Sequence, residues 1–362
     1  MMFTQLKYIV ILLASVSVLV IAYLWANVKF GTITYHSDKE IVIPKWPEVL
    51  DTGEYDQRLL ELAGFVPTVS TTTPSPLRYS TTTNVTIKGK RWPAGAVYPN
   101  GGAILPFKRI VAYYGNFHSK QMGILGEYEP EEVIRRLEAE KVRWEAADPD
   151  TPVQLAIEYI ATVAQAGAGP DGMYRAMMSD TEIEKAYEMA QKAGAILILD
   201  IQPGLSPIKK ELPNFREYLM RPDVHLAIDP EFAMKRGSRP GTVIGTVDAS
   251  DVNYMIDYMS DIVREYQLPP KVLLVHRFTQ NMVTNSNAIK PTAEVQVVVV
   301  MDGWGSKDLK RGTYSRIIEP ESVQFTGLKI FYKNDLRAPS TGIFTPAEVL
   351  ELNPKPIFIQ YQ

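Results

Sequence analysis

From Arg109 onward, short β-rich runs alternate with helical patterns, and this alternation restricts the possible folds more than any other feature of the chain. The runs are Ile110–Tyr114, Val153–Glu158, Ala195–Asp200, Val224–Asp229, Val272–His276, Val295–Met301, Leu328–Tyr332 and Ile357–Tyr361. Between them, Pro130–Ala146 has a charged amphipathic pattern. Ser179-Asp180-Thr181-Glu182 is a capping box that opens a helix ending near Gly194. Ser250–Tyr266 carries Val252, Met255, Ile256, Met259, Ile262, Val263 and Tyr266 at helical spacing, and Thr345-Pro346 starts another helix. Strands alternating with helices build a parallel sheet, and eight such units predict an α/β fold of the (β/α)8 TIM-barrel type. The competing arrangement, an open doubly wound sheet, favours a glycine-rich phosphate turn after the first strand. YYGNFHSKQMGILG lacks the G-x-G-x-x-G spacing. No helical pattern follows the eighth run, so the Lys88–Pro106 lead-in, or a neighbouring element, is expected to cover that side.

Ahead of the barrel, Tyr8–Ala26 is 19 residues without a charge, enough to cross a bilayer as a helix. Lys7 precedes it, so the short N-terminal end is expected to stay cytoplasmic and the rest of the chain to lie beyond the membrane. A cleaved signal peptide is the competing reading, but no convincing small-x-small site follows Ala22. Pro67–Thr86, rich in Thr, Ser and Pro, cannot bury enough apolar surface to fold and reads as a stalk. The expected organisation is therefore a cytoplasmic end and anchor over 1–29, a stalk or linker over 30–87, and the barrel over 88–362. The chain has no cysteine, which excludes disulfides and thiolate zinc sites. A net charge of −3 with no basic stripe argues against nucleic acid.

In barrels of this type, reactive groups sit where strands end, at the C-terminal face. Here the second, third and fourth runs end on Glu158, Asp200 and Asp229, the fifth on His276, and Asp302 follows the sixth directly. The fourth run, VHLAI, leads into Asp229-Pro230-Glu231, and period-two alternation would put Asp229 and Glu231 on one face, roughly 6–7 Å apart at the backbone. That spacing suits paired carboxylates acting on a glycosidic bond. Alternation backwards from the acids also turns Gln154, His225, Gln296 and Gln360 inward, as a polar layer that would hold the acids by hydrogen bonds. Tyr113, Tyr114, Tyr159, Phe232 and Trp304 fall at or near the same end. Trp304, between two glycines, is the best candidate for a flat sugar platform.

The constellation resembles glycoside-hydrolase (β/α)8 barrels, most nearly the chitinase-like branch, which carries D-x-x-D-x-D-x-E at the end of its fourth strand. Glu231 and Asp229 match its last two acids, while Val224 and Ala227 stand at the other two positions. That branch also has M-x-Y-D on the sixth strand, where Asp302 matches but Val299 and Met301 replace Met and Tyr. The resemblance implies Glu231 as general acid, with Asp229 and Asp302 positioning substrate. The missing half of the fourth-strand motif puts the substrate-assisted mechanism on N-acetyl sugars in doubt.

Glu158, Asp200, His276, Tyr114 and Trp304 are the candidate substrate contacts. No cofactor or metal is expected: His225, His276, Asp200 and Asp229 offer ligand atoms, but no H-x-H occurs among the four histidines. The nucleophile elbow G-x-S-x-G and the P-loop are absent as well. The expected function is a membrane-anchored, extracytoplasmic hydrolase acting on cell-envelope or extracellular polysaccharide. The alternative is a non-catalytic barrel binding a glycan or a partner protein.

Overall fold

The computed structural model describes residues 49–64, 86–87, 90–91 and 97–362. The expected anchor Tyr8–Ala26 lies outside them, as does the stalk except for Thr86. Among the described residues no helix is long and apolar enough to cross a membrane.

Eight parallel strands close into a barrel: β1 (Arg109–Gly115), β2 (Val153–Ala164), β3 (Ile196–Ile201), β4 (Val224–Ile228), β5 (Lys271–Arg277), β6 (Val295–Met301), β7 (Phe325–Ile330) and β8 (Phe358–Tyr361). Closure is direct, since β8 pairs with β1 at Gln360 and Ala112, and β1 pairs with β2 at Tyr114 and Glu158. β2 overruns the rim and pairs antiparallel with Arg175–Met177. β7 begins at Phe325, three residues before the apolar run Leu328–Tyr332, because Thr326 and Gly327 also enter the ladder.

The strands are apolar on both faces because both are covered. Val111, Leu155, Leu197, Leu226, Leu273 and Val297 face the helices, whereas Ile110, Ala156, Ile198, Ala227, Leu274 and Val298 fill the interior. Gly327 makes room in that interior. A Cβ there would meet the Phe358 ring at 2.9 Å and its carbonyl oxygen at 3.0 Å.

Helix α1 (Thr52–Leu62) falls within the stretch expected as linker, yet it belongs to the folded unit. Asp51 caps it, accepting the Gly53 and Glu54 N–H groups at 2.9 Å. Its Tyr55, Leu59 and Leu62 pack with Leu105 against Ile110, Val272, Phe325 and Phe358, sealing the N-terminal floor of the barrel. Burying three such side chains contributes on the order of 5 kcal/mol before entropy costs. Gln296 fastens the lead-in to the same floor, donating to the Leu105 carbonyl at 2.6 Å and accepting its N–H at 3.2 Å.

On the outer wall, α2 (Pro130–Ala147) and α3 (Asp180–Lys192) cover β1, β2 and β3, and α4 (Ala249–Tyr266) covers β5 and β6. The capping box at Ser179 forms, and Gly194 ends that helix region with φ +59°. The outer face of β8 is covered by α2, whose Trp144 donates to the Tyr361 hydroxyl at 3.0 Å. The described end of the lead-in, Ile104 and Leu105, packs at the floor, so the neighbouring helix is what covers that side.

Candidate active site at the barrel mouth

Each strand delivers one polar side chain to the upper interior: Tyr114, Glu158, Asp200, Asp229, His276, Asp302, Lys329 and Gln360. All are buried, Asp302 the least so at 9% exposed. Each lies two residues beyond an inward-facing small or apolar residue, from Ala112 in β1 to Phe358 in β8, so the period-two pleat sets their direction. Charged groups removed from water must be paired. Here they form a chain: Gln360 donates to Glu158 at 2.5 Å, Glu158 meets His276 Nε2 at 3.0 Å, His276 Nδ1 meets Asp302 at 3.2 Å, and Lys329 Nζ meets the other Asp302 oxygen at 3.1 Å. Tyr114 donates to Asp200 at 3.1 Å, accepts from Gln202 at 3.3 Å, and lies with its ring 3.8 Å from Lys329 Nζ.

Of the inward layer expected from the sequence, only Gln360 holds an acid. Gln296 is spent on the floor, and Gln154 bonds the backbone carbonyls of Leu155 and Gly194. His225 points inward but accepts the Val272 N–H at 2.9 Å, and burial holds its pKa well down. Four residues of strand separate it from Asp229, on the order of 13 Å, so it shares no site with the mouth acids.

Glu231 reaches the mouth by a different route from the alternation expected of it. β4 ends at Ile228. Pro230 opens a 3-10 turn over Pro230–Phe232, and Asp229 Oδ1 caps that turn by accepting the Glu231 N–H at 3.0 Å. Asp229 and Glu231 nevertheless line one pocket of about 380 Å³ with Asp302, Lys329, Tyr114 and Trp304. Gln121, Gln202 and Gln362 add planar amides, and Phe232, Phe278 and Phe331 add apolar wall. Trp304 is 51% exposed at the rim, with the Arg337 guanidinium 5.1 Å from its ring centre. Tyr113 and Tyr159 point outward into the helix layer and are absent from the pocket. Glu158, Asp200 and His276 do not line it either; they lie beneath and hold its wall.

The carboxyls of this mouth diverge electrostatically. Burial, reinforced by the charge of Asp302, raises Glu231. Burial also raises Asp229 well above the usual carboxylate range, with Asp302 and Asp200 adding to it. Asp302 is buried too, but Lys329 and His276 overcome that penalty and hold it below its ordinary value. Asp200 is pushed up to about 6, by burial first, with His276 opposing and Glu158 adding. His276 is raised well above the usual imidazole value, because Asp302 and Glu158 outweigh its burial. The ring is therefore held toward its protonated form, between Asp302 and Glu158.

One trio, Glu158, Asp200 and His276, brings ligand atoms within 4.8 Å of one another. A metal ion there would have to take the His276 nitrogen that already bonds Glu158, and the neighbouring carboxylates favour a proton on that ring. The donor set suits a protonated His276 better than a metal ion.

Lys329, Gln202, Phe278, Phe331 and Gln362 complete the site without standing out as candidates in the sequence. Lys329 carries the clearest signal: a lysine inside a β-rich run, in register with the inward-facing Phe325 and Gly327.

No family model and no curated protein matches the sequence. Among solved structures the chain is similar to a GH5-4 broad-specificity endoglucanase from an uncultured bovine rumen ciliate, at 11% identity over 57% of this chain and 72% of that one, with a TM-score of 0.31. It is also similar to Bacillus subtilis mannanase BCman, at 10% identity over 71% and 81% of the two chains, with a TM-score of 0.35. A third is B. subtilis mannanase man26, at 10% identity over 70% and 79%, with a TM-score of 0.35. These neighbours are an endoglucanase and mannanases; the barrel fold of this chain rests on the strand register described above.

Proposed function

We propose that the mouth pocket hydrolyses glycosidic bonds, with Glu231 as the proton donor and Asp302 as its ionised counterpart. The observation that carries this reading is the opposite displacement of two carboxyls lining one pocket: Glu231 raised, Asp302 lowered. Environments that push two carboxyls apart sort them into acid and base or electrostatic roles. Glu231 would protonate the leaving oxygen. Asp302 would stabilise the positive charge that develops on the sugar, or accept a proton from water. Asp229, pushed toward its protonated form by burial and accepting the Glu231 N–H, would orient the substrate.

The amides of Gln121, Gln202 and Gln362 suit sugar hydroxyls, and Trp304, Phe232 and Phe278 suit ring faces. Tyr8–Ala26 supports an extracytoplasmic barrel on a membrane anchor, hence an envelope or extracellular polysaccharide as substrate.

One observation favours the second reading, a barrel that binds a glycan without cleaving it. Both Asp302 oxygens are engaged, one by Lys329 and one by His276, which suits a structural anion as well as a reacting one. Hydrolysis of a panel of envelope polysaccharides by the full-length protein decides between them. Glu231→Gln keeps the shape and removes the proton, so turnover should fall at least about 100-fold while binding persists. Equal rates for wild type and Glu231→Gln would remove Glu231 from the chemistry. Binding without any cleavage by wild type would establish the second reading.

A further inference from the structure

A second pocket of about 620 Å³ lies beside the mouth, built mainly by the loop that follows Glu231. The two cavities share a wall. Phe232 and Phe278 line the first, and their chain neighbours Ala233 and Thr279 line the second. Consecutive residues are about 3.8 Å apart, so the two cavities adjoin across this wall and the second lies within reach of a neighbouring unit of a glycan held at Glu231.

The loop is fixed to the acid. Gly245 N–H donates to the Glu231 carbonyl at 2.7 Å, Thr246 N–H to Ala233 at 3.1 Å, and Met234 N–H to Gly204 at 2.8 Å. A Cβ on Gly245 would fall 2.5 Å from the Pro230 carbonyl oxygen, so only glycine allows this closeness.

The chemistry of the two linings differs in sign. Three carboxyls line the mouth; the second pocket has Lys235 and Arg236 and no acidic lining residue. Thr246, Thr279, Asn281 and Thr284 supply hydroxyls and an amide. Lys235 is paired with Asp251. Arg236 has no carboxylate partner among the described residues and presents five N–H donors in a plane.

We propose that the second pocket is a subsite for an anionic unit of the glycan, its carboxylate or phosphate oxygens held by Arg236. The proposal rests on the glycan reading of the mouth and narrows it to a charged polymer. Separating anion recognition from the acid site also keeps the substrate's charge away from Asp302.

Calorimetric binding to the full-length protein tests this, with a uronate oligosaccharide, a phosphate-bearing oligosaccharide and a neutral glucan oligosaccharide as probes. At least one anionic probe should bind more tightly than the neutral one, and the preference should weaken as salt rises. The probe that binds identifies carboxylate or phosphate. Arg236→Ala should lower the anionic-to-neutral affinity ratio about 2- to 5-fold, the range of an exposed charge pair, and Arg236→Lys should restore part of it. A neutral probe that binds as well as both anionic ones, or a ratio indifferent to Arg236→Ala, would overturn the proposal. Failure of the hydrolase reading is distinguishable, because it appears as absent cleavage with these affinities intact.

Discussion

Lys329 shows how a single buried cation sets the working range of the mouth. It opposes the burial penalty on Asp302 and also restrains the rise of Glu231. A carboxyl held low is charged at all but low pH, and its contribution disappears only as pH falls through the depressed value. A carboxyl held high supplies its proton until pH rises through the raised value. The pH profile of kcat/KM should therefore be bell-shaped, with an acid limb from Asp302 and a basic limb from Glu231. Lys329→Met removes the cation from both, so both limbs should move to higher pH, the acid limb by about 1–2 units. A Lys329 that merely fills space would change stability and leave the limbs where they are. The acids of the candidate site are legible in the sequence, because Asp229 and Asp302 stand directly after apolar strand runs, where a parallel barrel places its mouth. Lys329 is not, since its meaning depends on His276 and Asp302 arriving from two other strands.

At the scale of elements, the strands are legible for a simple reason: two-sided burial demands continuous apolar runs, as in VHLAI and VQVVVV. The turns between them are not. Pro230 removes Glu231 from the pleat of β4, yet the 3-10 turn that results still aims the acid into the pocket. Alternation expects Glu231 beside Asp229 but not the turn that brings it there; the cap from Asp229 and the clasp from Gly245 hold that turn. Gly245→Ala should push against Pro230 and Ala233 and displace the Glu231 backbone. Turnover should drop about 10- to 100-fold, since a misplacement near 1 Å is enough for such losses. Thermal unfolding should show the barrel still cooperative. A variant with wild-type turnover would show that the loop does not position Glu231.

At the scale of the whole molecule, the floor of the barrel is closed by a helix that lies outside the eight-strand region of the sequence. Helix α1 precedes β1 by more than a stalk's length of chain, and its apolar spacing, YDQRLLEL, gives no hint of its partner. Its face is nonetheless part of the interior core, through Tyr55, Leu59 and Leu62. A protease site engineered into residues 67–85 of the full-length protein should therefore leave two pieces that comigrate under native conditions and separate on denaturation. Tyr55→Ala should weaken the association by about 3 kcal/mol, the cost of emptying a large buried side chain. Immediate separation of the nicked pieces would show that the floor does not need α1. The sealed floor thus makes the molecule a receptor for its own upstream peptide, so that a split protein, reassembled by adding that helix back, becomes a natural reporter of whether the barrel is intact.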